Sequence, residues 1–140
     1  MRVLCLDVGE KRFGVAVSDE TKTLARGLGQ INRGQNEIEK VKELIKKYEV
    51  ESIVYGLPLR MDGSMSSQTE KTISFIEKLK KEISLPFIPF DERLSSQQAE
   101  TIMLEADLSR RKRKKYIDKL SAQIILQNYL DSLKEDAPEM

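Results

Sequence analysis

The feature that most constrains the fold is the stretch Arg2-Val3-Leu4-Cys5-Leu6-Asp7-Val8, an almost unbroken apolar run. A strand with one face in water alternates apolar and polar residues. A run without alternation has both faces covered, which is the pattern of a central strand in an α/β sheet. Asp7 interrupts the run near its end. A charge placed there needs a compensating partner or a function, because apolar neighbours supply neither solvent nor counter-charge. The plainer reading is a strand-end aspartate that accepts hydrogen bonds from the turn that follows.

The rest of the chain fits around that strand. Gly9-Glu10-Lys11 reads as a tight turn into a second strand over Phe13–Val17, giving a hairpin, and a third strand is expected around Leu24–Ile31 in spite of Gly27 and Gly29. Ile38, Val41, Leu44, Ile45 and Tyr48 recur at helical spacing and predict an amphipathic helix from Asn36 to Tyr48. A short strand from Ser52 to Tyr55, stopped by Gly56-Leu57-Pro58, leads through a polar loop to a helix with Ile73, Ile76, Leu79, Lys80 and Ile83 on its inner stripe. The prolines of the next strand, Pro86–Phe90, suit a sheet edge. Two more helices are expected, one from about Ser95 to Glu105 and one from Ile117 to Leu133. The order predicts an α/β fold with a mixed five-stranded sheet, its first three strands antiparallel, flanked by helices. One domain spans residues 1–134, and 135–140 form a polar tail.

Composition removes several chemistries. The chain has no histidine, which excludes Ser-His-Asp hydrolysis, imidazole acid–base catalysis and most zinc sites. Its one cysteine, Cys5, has no partner for an internal disulfide and is expected as a small buried hydrophobe. No segment approaches the ~20 apolar residues of a membrane span, and the amino terminus enters a strand rather than a signal peptide. The cytoplasm is therefore the expected location, with no membrane partner. Lys+Arg 24 against Asp+Glu 23 gives a net charge of +1, so bulk charge attracts nothing in particular. Six of the 24 basic residues nevertheless fall in one run, Arg110-Arg111-Lys112-Arg113-Lys114-Lys115.

Hydrolysis without histidine falls to carboxylates, lysine or a metal. Asp7, Asp91, Glu92 and Asp118 all sit at the ends of apolar elements, where the carboxyl edge of an open α/β sheet gathers catalytic groups. Such oxygen donors suit Mg²⁺ or Mn²⁺, and a two-metal site of this kind hydrolyses phosphodiesters. Asp118 shares a helical face with Ala122, Ile125 and Tyr129, and small Ser121 and Ala122 would let that helix approach the sheet closely. The alternative for Asp118 is a helix N-terminal charge or cap. Adjacent Asp91 and Glu92 point to opposite sides of an extended chain, so one of them reaches the site. The sequence does not choose between them, so Asp7, Asp91, Glu92 and Asp118 are all candidate catalytic carboxylates, with Asp7, Glu92 and Asp118 as the candidate metal ligands. The basic run precedes the Asp118 helix, and Arg60 lies in the loop Gly56–Gly63; both are candidate contacts for a nucleic-acid backbone.

Four motifs resemble one family: Asp7-Val-Gly-Glu-Lys-Arg-Phe-Gly-Val-Ala-Val17, Gly56-Leu-Pro-Leu-Arg-Met-Asp-Gly63, Asp91-Glu-Arg-Leu-Ser95 and Asp118-Lys-Leu-Ser-Ala122. In this order, and over nearly the whole length, they are similar to the YqgF/RuvX family. The resemblance implies an RNase H-like nuclease associated with 5′-end maturation of pre-16S ribosomal RNA, and in older usage with Holliday junction resolution. It puts the family's carboxylates on Asp7, on the Asp91-Glu92 pair and on Asp118. Arg12 and Arg93, in the first and third motifs, join the expected nucleic-acid contacts. Structured RNA is the favoured partner ahead of DNA, with pre-ribosomal particles as its context. Related resolvases carry an acidic residue where this chain has Gly56-Leu57-Pro58, and Asp62 is the candidate replacement. A non-catalytic RNA-binding assembly factor and a sugar-kinase-like ATPase are the readings from other classes, the second disfavoured by length. No dimer seam is legible.

Overall fold

The computed structural model describes residues 1–34, 36–91 and 110–135, with side chains described for 1–34, 36–91 and 121–133. Within them lie β1 (Arg2–Val8), β2 (Arg12–Ser18), β3 (Ala25–Asn32), α1 (Glu37–Tyr48), β4 (Val50–Leu57), α2 (Ser67–Glu82), β5 (Phe87–Asp91) and α3 (Arg110–Glu135). The expected helix over 95–105 falls outside the described residues. The strand order is β3-β2-β1-β4-β5, with β1 central. β2 runs antiparallel to β1 and β3, while β4 runs parallel to β1 and β5, so the sheet is mixed as expected.

The apolar run of β1 is explained by two cores, one on each face. Leu4, Leu6 and Val8 pack with Phe13, Ile53 and Tyr55 beneath α1 and α2. Val3 and Cys5 pack with Ala16 and Val54 against Ala122, Ile125, Leu126 and Leu130 of α3. Cys5 is fully buried, as its setting predicts.

Three elements depart from the sequence expectations. β4 does not stop before Gly56-Leu57 but continues through both residues, because backbone pairing with β5 (Gly56↔Phe90, Leu57↔Asp91) needs no side chain. On α2 the buried residues are Thr69, Thr72, Phe75, Ile76 and Leu79, whereas Lys80 is exposed beside Glu77, at 3.2 Å. Lys80 lies at the edge of the stripe, where a long side chain keeps its ammonium in water. Thr69 is inward because it completes a capping box with Ser66 and donates to the Pro58 carbonyl. Finally, α3 starts at Arg110, so the basic run forms its first turns instead of leading into it. Arg and Lys are good helix formers, and nothing in that run breaks a helix. β5 lies at the sheet edge, as its prolines require.

Candidate active site at the carboxyl rim of the sheet

Asp7 is the penultimate residue of β1 and is partly buried. Side chains alternate along a strand, so Asp7 shares the face of Val3 and Cys5, the face covered by α3. Its direct partner on β2 is Gly14. On the other side the β1–β4 ladder pairs Leu6 with Tyr55, and one step further along it Asp7 lies beside Gly56. The carboxylate therefore stands between two strands that carry no side chain at its level.

The turn after Asp7 is tightly held. The Gly9 N–H donates to the Arg12 carbonyl at 2.9 Å, and a Cβ on Gly9 would lie 2.6 Å from that oxygen, a distance real contacts do not reach. Arg33 donates to the Gly9 carbonyl at 3.1 Å, and Gln68 reaches the Val8 carbonyl at 3.4 Å. Arg12 lies two residues before Gly14 and so is a diagonal neighbour of Asp7 on the same face. Of the expected nucleic-acid contacts, Arg12 is the one this ladder sets beside Asp7.

The ladder fixes the face of Asp91. Asp91 pairs with Leu57, whose side chain packs in the α1/α2 core, so Asp91 is on the face opposite Asp7. Phe90 takes Asp7's face, where its ring meets Tyr129 edge-on at 6.4 Å. Glu92 and Arg93 lie outside the described residues.

Opposite the sheet, Ser121 and Ala122 are buried, at 5% and 0% exposure, and Ala122 packs in the core with Val3, Cys5 and Ala16. The close helix–sheet approach expected of small residues is present. Asp118 belongs to the same helix one turn before Ala122, roughly 6 Å along the axis. The side chains of Asp118 and of Arg110 to Lys115 are not among those described. Among the described residues no group of three or more metal-ligating side chains comes together.

Loop residues 58–66 form a small hairpin. Leu59 bridges Met65, Arg60 N–H donates to the Ser64 carbonyl at 2.9 Å, and Gly63, at φ 86°, donates back to Arg60 at 2.8 Å. Arg60 is exposed on it. The Asp62 carboxylate accepts from the Ser64 N–H (2.9 Å) and hydroxyl (2.6 Å), so it is engaged in shaping its own turn. Sequence reasoning passed over Gln30. It pairs with Gly14 and so joins the lateral row of Asp7 two strands away, and its amide nitrogen is buried with no hydrogen-bond partner among the described residues. A polar residue opposite a glycine was the only signal it gave.

A family model described as "RuvX: Holliday junction resolvase" matches residues 1–132. Relatives named "Putative pre-16S rRNA nuclease" include one from Caldanaerobacter subterraneus subsp. tengcongensis, 51% identical, and one from Thermoanaerobacter pseudethanolicus, 49% identical; each match covers 96% of this chain and 99% of the relative. Among solved structures, the Fowlpox virus resolvase in complex with Holliday junction DNA aligns with a TM-score of 0.58 at 16% identity, covering 95% of this chain and 99% of the other. Thermus thermophilus RuvC with its Holliday junction substrate aligns over 100% of both chains, with a TM-score of 0.55 and 15% identity. The expected RNase H-like fold is thus the one shared with these resolvases.

Proposed function

We propose, on the premise that this chain belongs to the RuvX family, that it is a nuclease whose phosphodiester hydrolysis takes place at the carboxyl rim beside Asp7, in 5′-end maturation of pre-16S rRNA. The observation that carries the reading is the placement of Asp7. It is a carboxylate on the α3 face of the central strand, bordered by Gly14 and Gly56, and α3 is the helix that carries Asp118 in its sequence. The relatives' names favour RNA as the substrate.

The donor chemistry fits a hard divalent cation. Asp7 offers oxygen ligands and no histidine is present, a donor chemistry that suits a cation which keeps some of its water. Asp7, Glu92 and Asp118 would hold Mg²⁺ or Mn²⁺, with Asp91 directed to the other face. When bound, the cation supplies charge stabilisation at the phosphoryl oxygens and a more acidic water. The chain's own residues do the positioning. The Gly9–Arg12 turn fixes the end of β1, Arg12 provides a cation for the phosphate chain beside Asp7, and the basic first turns of α3 add positive potential along the helix that bears Asp118.

The test is cleavage of an RNA fragment spanning the 5′ precursor boundary of 16S rRNA, with a four-way DNA junction in parallel. Wild type should cut the RNA in the presence of Mg²⁺ or Mn²⁺. Asp7→Asn should lower the rate at least ~10²-fold with an unchanged urea midpoint, since several kcal/mol of charge stabilisation is at stake. Preferential cleavage of the junction would reassign the substrate, and equal cleavage by Asp7→Asn would remove the site.

A further inference from the structure

On the opposite side of the sheet from Asp7, an open cleft of ≈ 760 Å³ lies between the β1–β2 turn, the end of β3 and α2. Its charged lining is Lys11, Arg33, Lys71 and Lys78 against Glu10 and Glu37, four cations to two anions in a chain whose net charge is only +1. Both anions are already engaged. Glu10 pairs with Lys71 at 3.4 Å, and Glu37 accepts the Gly34 N–H at 2.6 Å. Lys11 and Lys78 have no ion-pair partner among the described residues. An exposed pair such as Glu10–Lys71 is worth little, so Lys71 is readily given up to a stronger anion.

The cleft has a fixed element and a direction. Arg33 lies over the Phe75 ring, 4.6 Å from its centroid, while donating to the Gly9 carbonyl, which holds its guanidinium between the turn and α2 with donors left over. Lys71 and Lys78 are seven residues apart on α2, close to two full turns, so they share one face and stand ~10.5 Å apart along the axis. The first turn of α2 is tied to the rim by Gln68 at the Val8 carbonyl. Gly9 is two positions beyond Asp7, a rise of roughly 7 Å. The basic row therefore starts beside the rim that carries Asp7 and leads away from it.

We propose that this cleft is a second contact surface for the phosphate backbone of the substrate nucleic acid, which passes over the Gly9–Lys11 turn from the Asp7 face and is gripped by Arg33, Lys71 and Lys78. The inference rests on the nuclease reading of the Asp7 rim and extends it to the path of the substrate. Few aromatic residues accompany these cations, so the surface tracks backbone charge and does not read sequence.

The experiment measures binding, not cleavage. Anisotropy of a labelled structured RNA hairpin, and of a DNA hairpin of the same sequence, is recorded in EDTA from 0.05 to 1 M salt. The proteins are wild type, the double variant Lys71→Gln/Lys78→Gln, and the control Lys80→Gln/Lys81→Gln, which removes the same charge from the same helix outside the cleft. Two lost phosphate contacts make the salt slope shallower by ~1.4 for a single strand and ~1.8 for a duplex, or roughly 25- to 60-fold in Kd at 0.1 M salt, vanishing near 1 M. The proposal expects that loss in the cleft variant on at least one of the two hairpins, and a clearly smaller one in the control. Equal losses in both variants overturn it, and so does an unchanged cleft variant. If wild type still cleaves RNA, either of those results removes the cleft alone. Wild type that neither binds nor cleaves removes the nuclease reading with it. Tighter, Lys71/Lys78-dependent binding of polyglutamate would assign the cleft to an acidic protein and also overturn the proposal.

Discussion

Replacing Ala122 by leucine probes whether the depth at which α3 sits on the sheet sets the active site. Ala122 is fully buried, in the core with Val3, Cys5 and Ala16, so three added carbons have no empty volume to enter. Overpacking of this kind costs about 1–3 kcal/mol, and a loss of 2 kcal/mol in a chain this size lowers Tm by roughly 8 °C. The helix can accommodate leucine by lifting from β1 and β2, and Asp118, one turn away, moves with it. A displacement near 1 Å in a catalytic constellation lowers activity about 10²-fold. Unfolding does not account for such a drop: a domain of at least ~5 kcal/mol that loses 3 is still only about 3% unfolded. The assay is cleavage of the rRNA precursor fragment beside a urea melt of the same preparation. Leu130→Phe is the control, since it overpacks the same helix ~12 Å further along while leaving the turn that bears Asp118 alone. Ala122→Leu should lose about 10²-fold in rate, and Leu130→Phe should lose comparable stability with little change in rate. Equal rate losses, or full activity in Ala122→Leu, would refute the coupling of helix depth to the site.

Gly9→Ala forces a Cβ to 2.6 Å from the Arg12 carbonyl and must break the 2.9 Å turn hydrogen bond. A destabilisation of ~2 kcal/mol is expected in a urea melt, and a change below 0.5 kcal/mol would show that the turn relaxes freely. Ser66→Ala removes the N-cap of α2 and should cost about 1 kcal/mol by the same measurement. The Asp19 carboxyl is held below its ordinary value of 3.8, chiefly by the Thr23 N–H, with Leu24 and Thr21 adding to it and desolvation opposing it. A depressed carboxyl contributes stability that is fully present above the unfolded value and lost as pH falls through the folded one. The stability gap between wild type and Asp19→Ala should therefore be constant from pH 5 to 8 and narrow below pH 4; a gap that widens in acid would contradict this.

The central strand, the hairpin after it and the edge position of β5 were legible because each rests on a local signal: an unbroken apolar run, a glycine turn, two prolines. Asp7 was legible for the same reason, as a charge where the pattern forbids one. What the sequence concealed depends on backbone pairing and rotation. Gly56 and Leu57 looked like a stop but are held in β4 by main-chain pairing with β5. Lys80 looked like part of the inner stripe of α2 but sits at its edge, exposed beside Glu77. The face that Asp91 takes follows from strand parity, which became visible only once pairing with Leu57 fixed the register and set Asp91 away from Asp7. Gln30 gave almost no signal, because its place in the row of Asp7 follows from two successive strand pairings.

Anomalous diffraction from crystals grown with Mn²⁺ shows whether Asp7 anchors a divalent cation at the rim between β2 and β4. A peak is expected within coordination distance of the Asp7 carboxylate, shared with Asp118 and Glu92, and absent in crystals of Asp7→Asn. Mn²⁺ bound elsewhere, with none at Asp7 at saturating concentration, would contradict that anchoring role.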